Sequence, residues 1–245
     1  MVMTNMNIDS GNGRREIPAA LNRASWRQIP ARPVDEWILS ADLGMVNDFT
    51  ALVGLHHKIV ATGGWVADEV RHAWKENQIE TLEVPFLERI PLGTSYPRQV
   101  EHIARILQRP PLDRATLCCD STGVGEAVFS MFVEAGLKPT GITITSGSET
   151  TQPATRRYHV PKATLISCLD SKLGNGLVIA SDLLESPTLK TELGDLQRTV
   201  SAAGRASYAA GRVAQNDDLV LSLAIAVWFA VGRVRNTVEW KNNAF

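Results

Sequence analysis

The sequence lacks the features that would place it in several common protein classes. Its 245 residues include only three cysteines, Cys118, Cys119 and Cys168. They are too few and too unevenly spaced for a disulfide framework, which favours a reducing compartment. No CxxC or paired Cys/His spacing indicates a zinc site, and the five histidines are scattered. Hydrophobic residues make up 44% of the chain, so a packed core is expected and a wholly disordered chain is excluded.

Long apolar segments are also missing. Residues 1–34 are polar and basic with no apolar h-region, which excludes a secretory signal peptide there. We predict that they form a flexible basic N-terminal arm and that residues 35–245 form one domain. The longest apolar run, Leu219–Val231, is interrupted only by Ser222. Because this run is shorter than the roughly 20 residues of a membrane span, it predicts a buried helix.

The chain carries no strong charge of either sign. Its formal net charge is -1, which excludes a uniformly basic nucleic-acid binder. The charge is nevertheless uneven, since residues 150–212 hold eight basic and five acidic side chains, whereas residues 35–149 are acidic. The average therefore leaves open a protein that combines acidic ligands with basic stretches.

Common nucleotide and hydrolase motifs are absent as well. A P-loop requires a Gly-Lys pair, and the sequence has none, which excludes an ATPase of that class within these residues. Neither a GxSxG elbow nor an HExxH motif is present. The Gly123-Val124-Gly125 turn could offer backbone N–H groups to a phosphate, but such a turn more often serves only to join a strand to a helix.

The hydrophobic pattern predicts an α/β protein. Apolar runs indicate strands, and apolar residues at helical spacing indicate helices. The succession strand, helix, strand over 115–145 implies a crossover and a parallel strand pair. The predicted strands are 37–42, 50–55, 64–70, 82–90, 115–120, 139–145 and 177–180; the predicted helices are 96–108, 125–135, one from 160, 188–198 and 216–233.

Four aspartates stand where these elements begin or end. Asp42 and Asp120 each end a predicted strand, and Asp217 and Asp218 open the last helix. Strand-end groups face the crevice in which ligands bind in open α/β sheets. Clustered carboxylates would raise one another's pKa unless a cation lay between them, and Mg²⁺ or Mn²⁺ prefers oxygen ligands. Each aspartate can equally be a turn former or a helix cap, so the pattern leaves both interpretations open.

These motifs follow one another in a distinctive order. The chain contains, in succession, Asp42-Leu43-Gly44, Asp48-Phe49-Thr50-Ala51, Asp120-Ser121-Thr122-Gly123-Val124-Gly125, Val160-Pro161-Lys162, Asn216-Asp217-Asp218-Leu219-Val220 and Leu223-Ala224-Ile225-Ala226. In order and approximate spacing, over roughly residues 35–232, the set resembles the nuclease domain of tailed-phage terminase large subunits.

The resemblance implies an RNase H-like fold, with a mixed central β-sheet flanked by α-helices. It also implies a metal-dependent DNA endonuclease that cleaves concatemeric viral double-stranded DNA during packaging, using two Mg²⁺ or Mn²⁺ ions. By position, Asp42 would be the first-strand ligand shared between the metals, Asp120 the ligand of a later strand, and Asp218 or Asp217 the ligand on the last helix. The chain departs from many relatives at Asn216, where they have His, and at Leu221, where they often have Asp.

Members of that family also carry a packaging ATPase domain, which the missing P-loop predicts to be absent from these residues. The chain would then be a separated nuclease domain, a prophage remnant or half of a split gene, acting in the cytoplasm of a bacterial host cell. Its expected partner is double-stranded DNA, and a packaging ATPase domain or subunit, the small terminase subunit and the portal are further candidates.

DNA contacts are expected from the basic stretch after the sheet. We predict that Arg156, Arg157 and Lys162 contact phosphate groups, because they lie in a loop and at a helix start. Nothing in the sequence resembles a base-reading motif, so sequence-independent, salt-sensitive binding is expected.

Three alternatives remain at this point. A catalytically inactive remnant, acting as a DNA-binding or assembly module, would keep the carboxylates only as turns and caps. A Holliday-junction-type resolvase is a near sibling that would prefer branched DNA. A sugar-kinase or actin-like ATPase also opens with an Asp-x-Gly turn, but it needs two similar domains, for which 245 residues leave little room.

Overall fold

The computed structural model describes residues 23–46, 48–200, 206–210 and 217–239, with the backbone alone for 196–200, 206–210 and 233–239. Residues 1–22 of the predicted arm and Asn216 lie outside these ranges. The chain divides into a smaller unit, residues 1–32 with 61–78, and a larger unit, residues 33–60 with 79–245. The proposed boundary at residue 34 stays a prediction.

The described chain has four strands up to residue 90, and all five of the α-helices that it contains follow that residue. The strands are β1 Arg27–Ile29, β2 Val34–Asp42, β3 Thr50–Asp68, β4 Ala73–Ile90, β5 Thr116–Asp120, β6 Thr140–Thr145, β7 Thr151–Ala154, β8 Arg157–Pro161, β9 Leu177–Ile179, β10 Leu196–Val200 and β11 Ala206–Ala210; the helices are α1 Tyr96–Ile106, α2 Gly125–Glu134, α3 Lys162–Leu173, α4 Ser186–Asp195 and α5 Asp218–Glu239.

The larger unit is built on a mixed sheet, which confirms the predicted α/β class. Its strands run in the order β4-β3-β2-β5-β6-β8-β7, with β9 beside β4. β2 is antiparallel to β3 and parallel to β5, and β5, β6 and β8 are parallel neighbours. The β5–α2–β6 crossover joins a parallel pair, as the sequence predicts, because antiparallel hairpin connections are too short to hold a helix.

Alternating side chains of β2 and β5 build two cores on opposite faces of the sheet. Ile38 and Cys118 belong to the core that includes α3, α4 and α5, whereas Leu39 and Cys119 belong to the core with α1 and α2. Successive strand residues point to opposite faces. The apolar run Leu219–Ala230 is buried along α5, which confirms the predicted buried helix.

The predicted elements differ from the structure at several places: β1, β10 and β11 were not predicted, and β4 begins at Ala73 rather than near Leu82. The predicted strand 64–70 is extended as expected over 64–68, but it is not a separate strand: β3 continues without interruption to Asp68 and the turn follows it. The predicted helix 188–198 begins at Ser186 and ends at Asp195. The β7–β8 hairpin was not predicted; Arg156, which precedes β8, has φ of 59°, a conformation that a hydrophobicity pattern does not reveal.

The smaller unit holds a short parallel pairing of β1 with Ala73–Lys75 of β4. The Trp26 ring packs against His72 and Trp74, with centroids 5.7 and 6.1 Å away. Arg23 pairs with Glu69, and its carbonyl oxygen accepts a hydrogen bond from the indole of Trp74. None of the helices in the described part of the chain has the length and apolar content that a membrane crossing requires.

Candidate functional site

The strand ends place Asp42 and Asp120 side by side. Ala41 is the register partner of Cys119 in the parallel β2–β5 pair, so each aspartate follows at the same level. Asp42 is two and four residues after Ser40 and Ile38, and Asp120 is two after Cys118; both therefore point to the face of the sheet that carries α5. The sheet brings together the two carboxylates that the sequence singled out.

The start of α5 brings Asp217 and Asp218 to the same edge. Asp218 is buried and accepts a hydrogen bond from the backbone N–H of Phe49 (3.1 Å). The half-buried Asp217 forms an ion pair with Lys162, the first residue of α3, with 2.8 Å between Nζ and Oδ2. The β2–β3 loop and the starts of two helices thus meet where β2 and β5 end.

A pair of buried hydroxyl groups joins β2 to α5. The Ser40 hydroxyl donates to the carbonyl oxygen of Ser222 (2.7 Å), and the two Oγ atoms are 3.0 Å apart. Both residues are fully buried. Such contacts in an apolar core are directional, so they fix one position of the helix on the strand better than apolar packing alone.

The charges of these carboxylates act on one another. Burial and the charges of Asp120, Asp218 and Asp217 raise the pKa of Asp42 well above its usual range, and the Lys162 charge opposes them. Burial also raises the pKa of Asp120, against hydrogen bonds from Thr122. Burial raises the pKa of Asp218 to about 6, because the Phe49 N–H only partly offsets it and the charges of Asp48 and Asp217 add to it.

The carboxylate oxygens of the four aspartates are of the kind that bind a divalent cation, although they do not form a complete coordination site. Within the described residues, no group of three or more His, Cys, Asp or Glu side chains is placed to hold a metal ion as it stands. Asp120, Asp217 and Asp218 each have an intramolecular partner. The causes that shift the pKa of the Asp42 carboxyl group include no hydrogen bond from the described chain, and three carboxylate charges oppose its own. A half-buried carboxylate in that position is stabilised by a cation with oxygen preference.

Two glycines allow the loops beside the aspartates to turn tightly. A Cβ at Gly44 would collide with the carbonyl oxygen of Asp48, and a Cβ at Gly125 would collide with that of Asp120. These are backbone atoms of the loops that carry the site, so they cannot move aside without moving it. Glycine is therefore required at both positions by close approach of the chain.

A buried amide holds the loop after Asp42. Gln99 of α1 accepts a hydrogen bond from the Thr50 hydroxyl (2.7 Å) and donates to the carbonyl oxygens of Gly44 and Thr94 (2.8 Å each). The backbone N–H of Gly44 donates to Thr50 Oγ1 (3.0 Å). Because all these groups are satisfied internally, the loop has a defined shape.

Thr122 holds Asp120. Its backbone N–H and hydroxyl both donate to Asp120 Oδ1, at 2.8 and 2.6 Å. The same hydroxyl oxygen accepts a hydrogen bond from the N–H of Ile144 in β6 (2.8 Å). One side chain therefore links the carboxylate of one strand to the backbone of the next.

Replacing Thr122 by Val, which keeps the shape but removes the hydroxyl, is expected to lower the free energy of unfolding by about 1 kcal/mol, because the Ile144 N–H and Asp120 both lose a partner. Thr122→Ser keeps the hydroxyl and is the matched control. Urea denaturation of the two variants measures the difference, and equal stability of the Val and Ser variants would show that the hydroxyl contributes nothing.

The three basic residues predicted to contact DNA all have intramolecular partners. Arg157 binds Glu126 with both terminal nitrogens and lies over the ring of Phe129, 3.5 Å from its centroid. Arg156 donates to the carbonyl oxygen of Lys138 (2.7 Å). Lys162 pairs with Asp217. Of the three, only Lys162 acts on the charges of Asp42 and Asp120, so the structure groups it with the aspartates.

Sequence reasoning missed Glu192, a buried glutamate of α4 that is 7% exposed. Its carboxylate accepts a hydrogen bond from the N–H of Val220 (3.1 Å), in the first turn of α5. Burial raises the pKa of Glu192 to about 7, with the Asp218 charge adding to it and the backbone hydrogen bonds of Val220 and Leu219 opposing it. No local motif signals a partner in another helix, so the sequence offered no sign of this contact.

The fold is found in solved structures. The large terminase nuclease of thermophilic phage G20c, with bound magnesium, superposes with a TM-score of 0.54 at 19% identity, covering 85% of this chain and 94% of that one. A second structure of that nuclease gives 0.51 at 19% identity, with 85% and 95% covered. The Thermus phage P74-26 large terminase nuclease domain gives 0.51 at 18% identity, with 84% and 92% covered. No protein-family model and no curated protein matches the sequence. The chain therefore has the RNase H-like fold of large terminase nuclease domains.

Proposed function

We propose that this chain is a metal-dependent DNA endonuclease of the phage terminase large-subunit type, cleaving concatemeric viral double-stranded DNA during genome packaging. The observation that carries the proposal is the convergence of three neighbouring carboxylate charges on Asp42, at the strand ends of a terminase-nuclease fold. Repulsion between clustered carboxylates destabilises a folded protein unless a bound cation neutralises their charge, so such clusters are typical of functional sites.

Asp42 and Asp120, together with Asp218 or Asp217, would hold Mg²⁺ or Mn²⁺, with two ions expected. When bound, such ions activate water and stabilise the developing charge on phosphate oxygens. Asp42 is the shared ligand in this proposal, because the other three carboxylate charges act on its own. Asp120 is held in place by Thr122.

Lys162 is the proposed phosphate contact nearest the site. Its ammonium group pairs with Asp217 and stabilises negative charge on Asp42 and Asp120. In the proposed complex the ammonium exchanges the Asp217 carboxylate for a DNA phosphate, which leaves Asp217 free to act with Asp218. Arg156 and Arg157 remain proposed contacts farther along the backbone, each after release from its intramolecular partner.

The proposed setting is genome packaging by a large terminase. A packaging ATPase domain or subunit, the small terminase subunit and the portal would be the partners, in the cytoplasm of the bacterial host. DNA is the substrate in this proposal, and its binding is expected to weaken steeply with salt, because phosphate contacts release counterions.

The experiment is cleavage of supercoiled plasmid by the whole chain in the presence of Mn²⁺ or Mg²⁺. Nicked and linear DNA is expected with the metal and none with EDTA. DNA binding without cleavage would contradict the proposal and favour an assembly module, and preferential cutting of four-way junctions would favour a resolvase. ATP hydrolysis without DNA cleavage would favour the ATPase alternative.

A further inference from the structure

The first turn of α5 is capped by a side chain from another helix. The first intrahelical bond at this end joins the N–H of Leu221 to the carbonyl oxygen of Asp217 (2.8 Å). The preceding N–H groups have no partner within the helix. Glu192 of α4 accepts from Val220 (3.1 Å), and a backbone hydrogen bond from Leu219 also acts on its carboxylate.

Both aspartates at this helix start have partners on other elements of the described chain. Asp218 accepts the N–H of Phe49 in the β2–β3 loop, and Asp217 pairs with Lys162. A sequence that opens a helix with Asp-Asp ordinarily uses one of them for capping. Here Glu192 of α4 accepts a hydrogen bond from the first turn of α5, while the two aspartates bind the β2–β3 loop and α3.

The burial of Glu192 makes this arrangement specific. Glutamate side chains are almost never buried without partners, and that of Glu192 is only 7% exposed. Its partners are helix N-terminal N–H groups, where a negative charge is favoured by the helix dipole. Arg89, which pairs with Glu185 just before α4 and lies over the Phe49 ring at 4.6 Å, adds a positive charge nearby.

We propose that Glu192 is a positioning residue of the site: by capping α5 from α4, it frees Asp217 and Asp218 to serve as ligands and fixes where they stand. The inference rests on the proposed function, since it concerns ligands of the proposed metal site. Outer-shell partners of metal ligands typically change metal affinity by 10- to 100-fold when they are removed.

The test is calorimetric titration of the whole chain with MnCl₂, without DNA. Glu192→Ala is expected to weaken Mn²⁺ binding by about tenfold or more. Glu192→Gln keeps an acceptor oxygen, so its Mn²⁺ affinity is expected to stay within about threefold of that of the unaltered chain, short of the tenfold loss expected when the partner is removed. If the alanine variant does not fold, Glu192→Asp, which withdraws the carboxylate by one methylene group, is expected to show the same weakening.

Leu189→Ala is the matched control, since it destabilises α4 through a buried apolar side chain and leaves the cap intact. Hydrogen exchange at Leu219 and Val220 should accelerate in Glu192→Ala and much less in Leu189→Ala. Equal Mn²⁺ affinity in Glu192→Ala and Leu189→Ala, or equal loss in Glu192→Ala and Glu192→Gln, would overturn the inference while leaving the nuclease proposal intact. Absence of Mn²⁺ binding by the unaltered chain would instead contradict the proposed function, and the inference with it.

Discussion

Asp42→Asn is expected to abolish Mn²⁺-dependent cleavage, lowering the rate by at least about 10³-fold, while raising the free energy of unfolding at pH 7–8. The loss of activity follows because the proposed shared ligand is removed, and metal ions contribute several kcal/mol to such transition states. The gain in stability follows because burial and the three neighbouring carboxylates raise the pKa of Asp42 in the folded protein.

The sign of that stability change can be followed through the titration. Since the folded pKa of Asp42 lies above the usual 3.8, the folded state holds a proton that the unfolded chain releases first. Stability therefore falls as the pH rises from about 4 through the folded pKa, and an uncharged asparagine removes this loss. Plasmid cleavage and urea denaturation at several pH values measure both effects.

The exposed Asp113→Asn is the matched control, because it removes the same charge outside the site. It should leave cleavage and stability nearly unchanged. Undiminished cutting by Asp42→Asn would refute its assignment as a ligand, and a drop in its stability at pH 7–8 would refute the electrostatic account.

His57→Ala is expected to lower the free energy of unfolding by about 3–5 kcal/mol, the usual effect of breaking a buried charged pair. The His57 side chain is fully buried, with Nδ1 3.2 Å from Glu36 and Nε2 3.0 Å from Glu80. Glu80 also pairs with Lys172 of α3. Although burial opposes a charge on the ring, the hydrogen bonds to Glu36 and Glu80 raise the pKa of His57 above 6.5.

The pH dependence of this effect has two limits. The contribution of protonated His57 is complete below pH 6.5 and is lost as the pH rises through its higher folded pKa. Hydrogen bonds from His57 and Lys172 lower the pKa of Glu80 to about 2, so its contribution is present above about 4.5 and is lost as the pH falls towards 2. The stability difference between the unaltered chain and His57→Ala should therefore be largest between about pH 4.5 and 6.5.

His102→Ala provides the control, because His102 lies 2.8 Å from Glu88 but both side chains are about one-third exposed. Exposed pairs contribute at most about 1 kcal/mol. Chemical denaturation of both variants across the pH range gives the comparison. A His57→Ala loss no greater than that of His102→Ala, or one that grows above pH 8, would contradict a protonated, doubly bonded His57.

Much of the fold could be predicted from local sequence patterns. β2 and β5 could be predicted, because apolar runs of that length ending in Asp are typical of buried strands, and α5 could be predicted from its long apolar run. The true length of β3 could not, since its residues beyond Val60 are largely exposed and show none of the alternation that marks a half-buried strand. The hairpin before α3 depends on the left-handed backbone conformation of Arg156, which could not be predicted from the residue pattern.

The candidate site divides in the same way. Asp42 and Asp120 could be placed together from strand parity alone, whereas the position of Asp218 depends on contacts with Phe49, 169 residues away along the chain. Glu192 and His57 have partners on other elements, 28 and 23 residues distant, and such pairings appear only once the chain is folded. The resemblance to terminase nucleases supplied the order of the motifs but not these supporting contacts.

The paired hydroxyls of Ser40 and Ser222 fix the position of α5 along β2. Asp42 stands two strand residues beyond Ser40, about 6.6 Å along β2, and Asp218 stands four helix residues before Ser222, about 6 Å along α5. These two distances from the Ser40–Ser222 contact nearly match, and the start of α5 lies at the end of β2. One buried contact therefore places both carboxylates at nearly the same distance along the strand direction. Sliding α5 by one residue would break the hydroxyl pair and shift Asp218 by about 1.5 Å. A contact within the core therefore holds Asp42 and Asp218 in register with each other.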